Sequence, residues 1–285
     1  MGNLDSKNRK VILIKKASGD EEPFSSEKLE HSLLNAGAKK ETVLKIVADI
    51  EAWIQPGVTT KKIYSRAFSM LRRDETTSSF RYRLKQAILE LGPTGYPFEI
   101  LIGKLFQHMG YRTEVGVVVE GKCVTHEMDV IATLDNVQHL VECKYHKDQG
   151  KQVSVQVPLY VRSRVNDIID KRQAMAGYQD FSFKGWVVTN TRFSEDSIQY
   201  GICSGLNLLG WNFPEGNGLK ENIEKFKIYP VTVLKNLTIK EKQYLLNQGI
   251  VTCSQLSENS DSLIYLDLSK TKYNSLKKEL EDICR

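Results

Sequence analysis

One stretch of the sequence decides the fold: Asp129-Val-Ile-Ala-Thr-Leu-Asp-Asn-Val-Gln-His-Leu-Val-Glu-Cys-Lys144. Two β-prone runs flank the turn-forming pair Asp135-Asn136, and this pattern predicts an antiparallel hairpin. If these two residues form the loop, Asp129 lies directly across from Glu142 and on the same face of the hairpin. The sequence therefore brings two carboxylates together at the open end of one hairpin.

The residue types at this end of the hairpin favour a metal site. Directly opposed residues have Cβ atoms about 4.5–5.5 Å apart, and facing like charges destabilise a sheet unless they are compensated. Mg²⁺ binds one or two carboxylates together with waters and a substrate phosphate. We therefore expect Asp129 and Glu142 to hold Mg²⁺ or Mn²⁺, with Lys144 on the same face to stabilise the transition state. The spacing alone fits equally well a surface hairpin with a solvated salt bridge.

The segments around the hairpin predict an α/β unit with a mixed sheet. A helix that ends at Gly110 precedes the hairpin, and its apolar side chains are Phe98, Leu101, Ile102, Leu105 and Phe106. Further strands are expected at Val115–Val119, Trp186–Thr189 and Leu208–Trp211, with helices at Pro158–Arg172 and Ser194–Leu206. Strands and helices mixed in this way imply a sheet with helices packed on it.

Two other units are expected on either side of this one. Gly92-Pro93-Thr94-Gly95 is the clearest break in the chain. Before it, a short β-prone run and four helical stretches predict a small helical bundle, whose first helix has Ser25 as its N-cap. After it, Leu234–Asn247 and Leu263–Ile283 predict a small helical C-terminal region. The expected domains are therefore residues 1–91, 92–228 and 229–285.

Composition and charge exclude several classes of protein. No apolar run approaches the roughly 20 residues of a membrane span, and the polar segment Met1–Lys10 carries no secretory signal. Five cysteines, an odd number without a C-x-x-C pair, argue against a disulfide framework and a zinc ribbon. We therefore expect a cytoplasmic protein. Residues 1–90 hold 17 Lys and Arg against 12 Asp and Glu, whereas the remaining 195 residues hold 23 of each, so an anionic partner is expected for the first segment.

Several motifs resemble the PD-(D/E)XK nuclease superfamily in its Mrr-like restriction endonuclease branch. They are Gly95-Tyr-Pro-Phe-Glu99, His126-Glu-Met-Asp129-Val-Ile, Val141-Glu-Cys-Lys144 and Val187-Val-Thr-Asn-Thr-Arg-Phe-Ser194. The resemblance implies that Asp129, Glu142 and Lys144 form the catalytic Mg²⁺ site and that Glu99 completes it. Met128 stands where the family has proline.

A segment after this core, Val157-Pro-Leu-Tyr160-Val-Arg162-Ser-Arg164, resembles what a subset of the family shows there. Its two arginines could contact phosphates or could be solvated helix positions. His126 and His146 flank the hairpin and could face the substrate.

The first 90 residues resemble the ATP-cone, a regulatory nucleotide-binding domain. The resemblance rests on Val11-Ile-Leu-Ile-Lys15-Lys16, on Glu22-Pro-Phe-Ser25 with Lys28-Leu29, and on Gly57-Val-Thr-Thr60. No G-x-x-x-x-G-K-[ST] loop is present, so lysines would provide the positive charge for a triphosphate. The resemblance implies that ATP or dATP is bound by Lys15, Lys16, Glu22, Ser25, Lys28, Thr60 and Tyr64.

Taken together, these patterns predict a metal-dependent endonuclease that cleaves DNA and is regulated by ATP or dATP. A homo-oligomer is also expected, since cones in other proteins act by changing oligomeric state. Two alternatives stay open: a non-catalytic, nucleotide-responsive DNA-binding regulator, and a nuclease for RNA or single strands. In the C-terminal region, Leu237–Ile250 faintly resembles a helix-hairpin-helix with Gly249 at the hairpin, although a structural cap is at least as plausible.

Overall fold

The predicted hairpin is present at the centre of a five-stranded sheet. We describe a computed structural model of the chain over residues 11–16, 19–74, 76–148, 150–259, 263 and 266–284. The polar segment Met1–Lys10 lies outside these ranges, as do residues 264 and 265 of the predicted helix Leu263–Ile283. The chain divides into two compact units, Met1–Arg83 and Leu84–Arg285. No helix among the described residues is long and apolar enough to cross a membrane.

The first unit combines a two-stranded hairpin with helices. Its elements are β1 (Leu13–Lys15), β2 (Glu21–Pro23), α1 (Ser26–Asn35), α2 (Lys40–Trp53), α3 (Thr60–Asp74) and the start of α4 (Thr76–Leu89). Ser25 is the N-cap of α1, as expected, because its hydroxyl accepts a hydrogen bond from the backbone N–H of Lys28. The core is aliphatic and includes Leu33, Ile46, Ile50 and Leu71, all fully buried.

The second unit contains the large sheet and the helices around it. Its elements up to the sheet edge are α5 (Tyr96–His108), β3 (Arg112–Glu120), β4 (Thr125–Leu134), β5 (Val137–Lys144), β6 (Gln152–Val153), α6 (Gln156–Gln173), β7 (Ser182–Thr189), β8 (Arg192–Phe193), α7 (Glu195–Cys203) and β9 (Asn207–Leu209). The strand order is β3-β4-β5-β7-β9, in which the first two pairings are antiparallel and the last two are parallel. The expected mixed sheet is therefore confirmed.

The two faces of this sheet are covered by different helices. On one face, Leu140, Val187 and Leu208 pack against Val161 and Val165 of α6. On the other face, α5 packs through aromatic side chains: the Phe98 ring lies 5.8 Å from that of Tyr145, and the Phe106 ring lies 5.5 Å from that of Trp186. Both faces are apolar, which explains why the strands read as nearly continuous hydrophobic runs.

The register of the hairpin is the one that a two-residue loop dictates. Leu134 pairs with Val137, and the pairing continues to Val130 opposite Val141. Asp135 takes a left-handed conformation, with φ of 49°, which Asp tolerates better than most residues. The ladder ends at the pair Val130–Val141, so Asp129, the residue that precedes Val130 on β4, lies just beyond it.

Beyond that last pair the two strands of the hairpin separate. β4 continues beside β3 only, with Met128 opposite Val117, whereas β5 continues beside β7 only, with Glu142 opposite Val187. We call this point of separation the fork. On β3, Gly116 lies between Val115, which pairs with Val130, and Val117, and it has φ of 66°, a backbone conformation that glycine adopts without strain.

After β9 comes α8 (Leu219–Phe226), which still lies within the expected domain 92–228. The C-terminal region that follows is helical, as expected, and contains a 3₁₀ turn (Val231–Val233), α9 (Ile239–Asn247), α10 (Cys253–Glu258) and α11 (Lys270–Cys284). The expected helix from Leu234 begins five residues later, because Thr238 and Glu241 form a capping box that starts α9 at Ile239.

This region is attached to the end of α4. The Thr232 hydroxyl donates to the carbonyl of Ala87 at 2.7 Å, and the buried Lys242 ammonium lies 3.8 Å from a Glu90 carboxylate oxygen. The end of α4 thus belongs to the second unit by its packing, so the division falls inside α4, whereas the boundary expected from sequence follows residue 91.

A test of the packing uses Gly185, which is buried in β7 between α6 and the residue before β9. A Cβ added there would lie 2.6 Å from Leu206 Cδ2 and 3.1 Å from Val165 Cγ2. We expect Gly185→Ala to lower the free energy of unfolding by about 1–3 kcal/mol, the usual effect of overpacking. Thermal unfolding measures it, with the exposed Ser182→Ala as the control; unchanged stability of Gly185→Ala would contradict this packing.

Candidate active site

The fork brings together the predicted carboxylates and lysine of the hairpin. Where the strands separate, the backbone N–H of Cys143 loses a partner on β4, and it donates instead to Asp129 Oδ2 at 2.6 Å. This bond fixes the Asp129 carboxylate beside β5. Lys144, two residues beyond Glu142 on the same face, donates to Glu142 Oε1 at 2.6 Å.

Glu142 is almost completely buried and has partners on both carboxylate oxygens. Its side chain is 5% exposed. Oε1 accepts from the Lys144 ammonium and from the Tyr160 hydroxyl. Oε2 accepts from Arg164 Nη1 at 2.5 Å. A buried carboxylate requires such compensation, because an unpaired charge in the interior is very costly.

Helix α6 supplies two of these partners. Tyr160 and Arg164 are four residues apart and therefore lie one above the other on the same helical face. The Tyr160 ring lies between two cations, 5.2 Å from Lys144 Nζ and 5.7 Å from the Arg164 guanidinium carbon. Arg164 Nη2 also donates to the carbonyl oxygen of Glu127 on β4. Arg164 is therefore an ion-paired residue of the site and not a solvated helix position.

The electrostatics around Asp129 are those of crowded negative charge. Burial, and next the neighbouring Glu142 carboxylate, raise the pKa of Asp129 to about 6, although the Cys143 N–H opposes the shift. Glu99 projects from the first turn of α5. Burial first, and then the charge of Asp129, raise the pKa of Glu99 to about 7. The charges of Asp129 and Glu142 both act on Glu99, so the three carboxylates interact electrostatically.

These carboxylates fit a divalent cation of the Mg²⁺ type. The two raised carboxyl pKa values arise first from burial and then from neighbouring carboxylates, so negative charge at this site is poorly solvated and lies next to other negative charge. Mg²⁺ takes few protein ligands and keeps several waters, so two carboxylates are sufficient. In the part of the chain that the structure describes, no cluster of three or more His, Cys, Asp or Glu is arranged to hold a metal ion. Asp129 and Glu142, whose charges interact at the fork, are the candidate ligands, and the charge of Glu99 interacts with both.

Lys144 is a cation in this environment. Burial alone would lower its pKa, but hydrogen bonds to Glu142 and Tyr160 and the charge of Glu142 outweigh burial and raise the pKa above its usual value. The ammonium group therefore stays protonated at neutral pH. It can donate hydrogen bonds and positive charge, but it cannot act as a base.

The two histidines that flank the hairpin have structural contacts. His126 Nε2 lies 2.8 Å from Asp167 Oδ2, and the same carboxylate accepts from the backbone N–H of Cys123 at 2.8 Å. His126 therefore ties the β3–β4 turn to α6. The backbone of His146 exchanges two hydrogen bonds with the Asn190 side chain, which holds the end of β5 against the end of β7. Neither contact involves the carboxylates of the fork.

The predicted nucleotide-binding residues of the first unit fall into two places. Glu22 lies between two lysines, 2.8 Å from Lys16 Nζ and 3.5 Å from Lys28 Nζ. The Ser25 hydroxyl accepts a hydrogen bond from the backbone N–H of Lys28. Lys15 on β1 forms a β-bridge with Thr59, the residue before Thr60. Tyr64 lies elsewhere on α3: its hydroxyl donates to the Tyr82 carbonyl, and the two rings stack at 4.7 Å.

The hairpin between α9 and α10 has its amides occupied. The N–H groups of Gly249 and Ile250 donate to carbonyls of α9, and those of Val251 and Thr252 donate to Gln255 Oε1. The backbone does form two helices joined through Gly249, which has φ of 74°. In this arrangement, however, these four amides are not available to a phosphate.

Two family models match this chain. The restriction endonuclease model matches residues 92–210, which contain the fork, Glu99 and Lys144. The AF1548-like C-terminal model matches residues 229–284, which contain the helices from α9 to α11.

Similar proteins are found among sequences and solved structures. An uncharacterized protein from Archaeoglobus fulgidus is 30% identical over 176 residues, or 60% of this chain and 92% of that protein. The crystal structure of AF1548, a protein of unknown function, matches with a TM-score of 0.55 and 28% identity, covering 67% of this chain and 98% of that one. The restriction endonuclease MspJI, in complex with a 27-mer oligonucleotide, has a TM-score of 0.34 and 15% identity, covering 60% of this chain and 36% of that one.

The raised pKa of Asp129 predicts a pH-dependent gain in stability for Asp129→Asn. The folded protein holds the Asp129 proton more tightly than the unfolded chain does, so the free energy of unfolding falls as pH rises from about 4 to about 6. Asparagine can still accept from Cys143 but carries no charge. We expect Asp129→Asn to raise the melting temperature at pH 8, without divalent ions, by about 2–4 °C per kcal/mol gained.

The gain should vanish at pH 4, where the wild-type carboxyl is protonated. The control is Asp180→Asn, an exposed acid away from the fork, which should change neither value. An Asp129→Asn protein that is less stable than wild type at pH 8 would show that the fork is not under electrostatic strain.

Proposed function

We propose that this chain is a metal-dependent endonuclease that hydrolyses phosphodiester bonds in DNA. The chain belongs to the same family as the Archaeoglobus fulgidus protein, and its residues 92–210 match the restriction endonuclease model. One observation carries the proposal: the strands separate at the point where Asp129, Glu142 and Lys144 converge. The restriction endonuclease match supports DNA as the substrate.

Each residue of the site has a role that its environment suits. Asp129 and Glu142 would hold Mg²⁺ or Mn²⁺, which when bound supplies an activated water and neutralises charge on the phosphate. Lys144, as a protonated ammonium group, donates a hydrogen bond to the phosphate oxygen on which negative charge develops. Glu99, with a pKa of about 7, can accept a proton from the attacking water near neutral pH.

We further propose that the first 91 residues bind ATP or dATP and regulate the nuclease. Lys16 and Lys28 lie around Glu22 on one side of the unit, and Lys15 and Thr60 lie near the neighbouring edge of the hairpin. Lysines grouped in this way would give point charges to a triphosphate. Regulation through a change in homo-oligomeric state is the mechanism that the cone resemblance suggests.

The catalytic proposal predicts the behaviour of Lys144→Ala. Because loss of one group that stabilises a developing charge typically costs about 10²–10³ in rate, we expect Mg²⁺-dependent cleavage of plasmid DNA to fall by at least that factor. Lys184→Ala, an exposed lysine on β7, is the matched control and should cut at the wild-type rate. Gel assays of plasmid, single-stranded DNA and RNA with Mg²⁺ or Mn²⁺, each with and without ATP, measure it.

Cleavage by Lys144→Ala at the wild-type rate would contradict the assigned site. If wild type cuts only RNA or single strands, the fork is a nuclease site with a different substrate. If wild type cuts none of these, with or without nucleotide, the endonuclease proposal fails.

The nucleotide proposal predicts a loss of affinity in Lys16→Ala. Removal of one cation that contacts the triphosphate should weaken ATP and dATP binding about tenfold or more, as measured by isothermal titration calorimetry. Lys45→Ala, which removes an exposed lysine of α2 that pairs with Glu41, should bind as wild type does. A wild-type chain that binds neither nucleotide would end the regulatory proposal while leaving the nuclease proposal intact.

A further inference from the structure

Both oxygens of the Glu142 carboxylate accept hydrogen bonds from side chains. Oε1 accepts from Lys144 and Tyr160, and Oε2 accepts from Arg164. A divalent cation that uses Glu142 needs lone pairs on the same oxygens. A cation on Oε2 would lie within a few ångströms of the Arg164 guanidinium, which donates to that oxygen at 2.5 Å.

Arg164 is the partner with the most reason to move. Lys144 lies on the same strand as Glu142 and is two residues away, so it follows the carboxylate closely. Arg164 lies on a different element, α6, and reaches Oε2 across the fork. A guanidinium ion and a divalent cation repel each other strongly within a few ångströms in a site shielded from water. Both cannot occupy Oε2 at full strength.

Arg164 also has a second contact that does not depend on Glu142. Its Nη2 donates to the carbonyl oxygen of Glu127, two residues before Asp129 on β4. If the bond to Oε2 breaks, this contact and the nearby Tyr160 ring still hold the guanidinium at the fork. The released Nη1 would then be a charged donor next to the bound cation. Planar guanidinium groups suit the oxygens of a phosphate.

We propose that Arg164 competes with the catalytic cation for Glu142 Oε2 and, once displaced, binds the substrate phosphate. This inference rests on the proposed nuclease function and gives Arg164 two successive partners, a carboxylate in the metal-free protein and a phosphate in the complex. A purely structural arginine would behave differently. Its removal would leave Glu142 less well positioned and metal binding unchanged or weaker.

The test measures Mn²⁺ binding to the full chain without DNA, by electron paramagnetic resonance of free Mn²⁺. Arg164→Met and Arg164→Gln remove the competing charge, and we expect each to bind Mn²⁺ about tenfold more tightly than wild type. Arg164→Lys keeps a positive charge and should remain near wild type. Arg162→Met removes an arginine from the same helix that has no contact with Glu142 among the described residues, and its Mn²⁺ affinity should not change. Circular dichroism establishes that each variant is folded.

A second measurement addresses the phosphate contact. With Ca²⁺ in place of Mg²⁺ to prevent cleavage, DNA binding is measured by fluorescence anisotropy. Arg164→Met should bind DNA about tenfold more weakly than Arg164→Lys, although it binds the metal more tightly. These opposite effects on metal and DNA are the signature of a residue that exchanges partners.

The outcomes separate this inference from the proposed function. Equal or weaker Mn²⁺ affinity in Arg164→Met and Arg164→Gln overturns the competition, even if wild type cuts DNA. Failure of every variant to bind Mn²⁺ overturns it as well, together with the metal site. Tighter Mn²⁺ binding with unchanged DNA binding overturns the phosphate contact. If the variants bind Mn²⁺ more tightly but wild type never cuts, the competition holds and the nuclease proposal is the part that fails.

Discussion

The separation of β4 from β5 after the pair Val130–Val141 is the constraint on which the site depends. A continued ladder would pair the Cys143 N–H with the backbone of β4. Because the ladder stops, that N–H is available to Asp129, and the side chains beyond the fork project into the space between two diverging strands. The candidate site lies where the pairing of β4 with β5 ends, while β4 stays paired with β3 and β5 stays paired with β7.

Charge balance at the fork explains why so many ionic groups lie close together. Glu99 and Asp129 have raised pKa values, so the site binds protons more readily than isolated carboxyls do. Lys144 and Arg164 bond directly to Glu142, whereas they act on Asp129 only through their charge, and the hydrogen bond to Asp129 comes from the backbone N–H of Cys143. Such an imbalance is destabilising in the folded protein, and strain of this kind is typical of sites where a ligand completes the charge balance.

Local patterns predicted the centre of the molecule well, and long-range contacts limited the rest. The register that brings Asp129 towards Glu142 followed from a two-residue turn and a period of two, both of which are local properties. The contacts of Tyr160 and Arg164 with Glu142 could not be predicted in the same way, since they depend on how α6 packs across the sheet. The resemblance of the segment that holds Tyr160 and Arg164, and their spacing of four residues, singled out these side chains but did not identify Glu142 as their partner.

The attachment of the C-terminal region to α4 has a consequence for how the chain unfolds. Thr232 and Lys242 contact Ala87 and Glu90, while the buried Glu279 of α11 accepts hydrogen bonds from the backbone N–H groups of Lys235 and Asn236. Residues more than 140 positions apart thus share one set of buried polar contacts. Loss of the last helix would remove the partner of the Lys235 and Asn236 N–H groups, which lie a few residues after Thr232, the residue that contacts the start of the same unit. The two ends of this unit are therefore thermodynamically linked, and they should open and close as a single cooperative segment and not as separable modules.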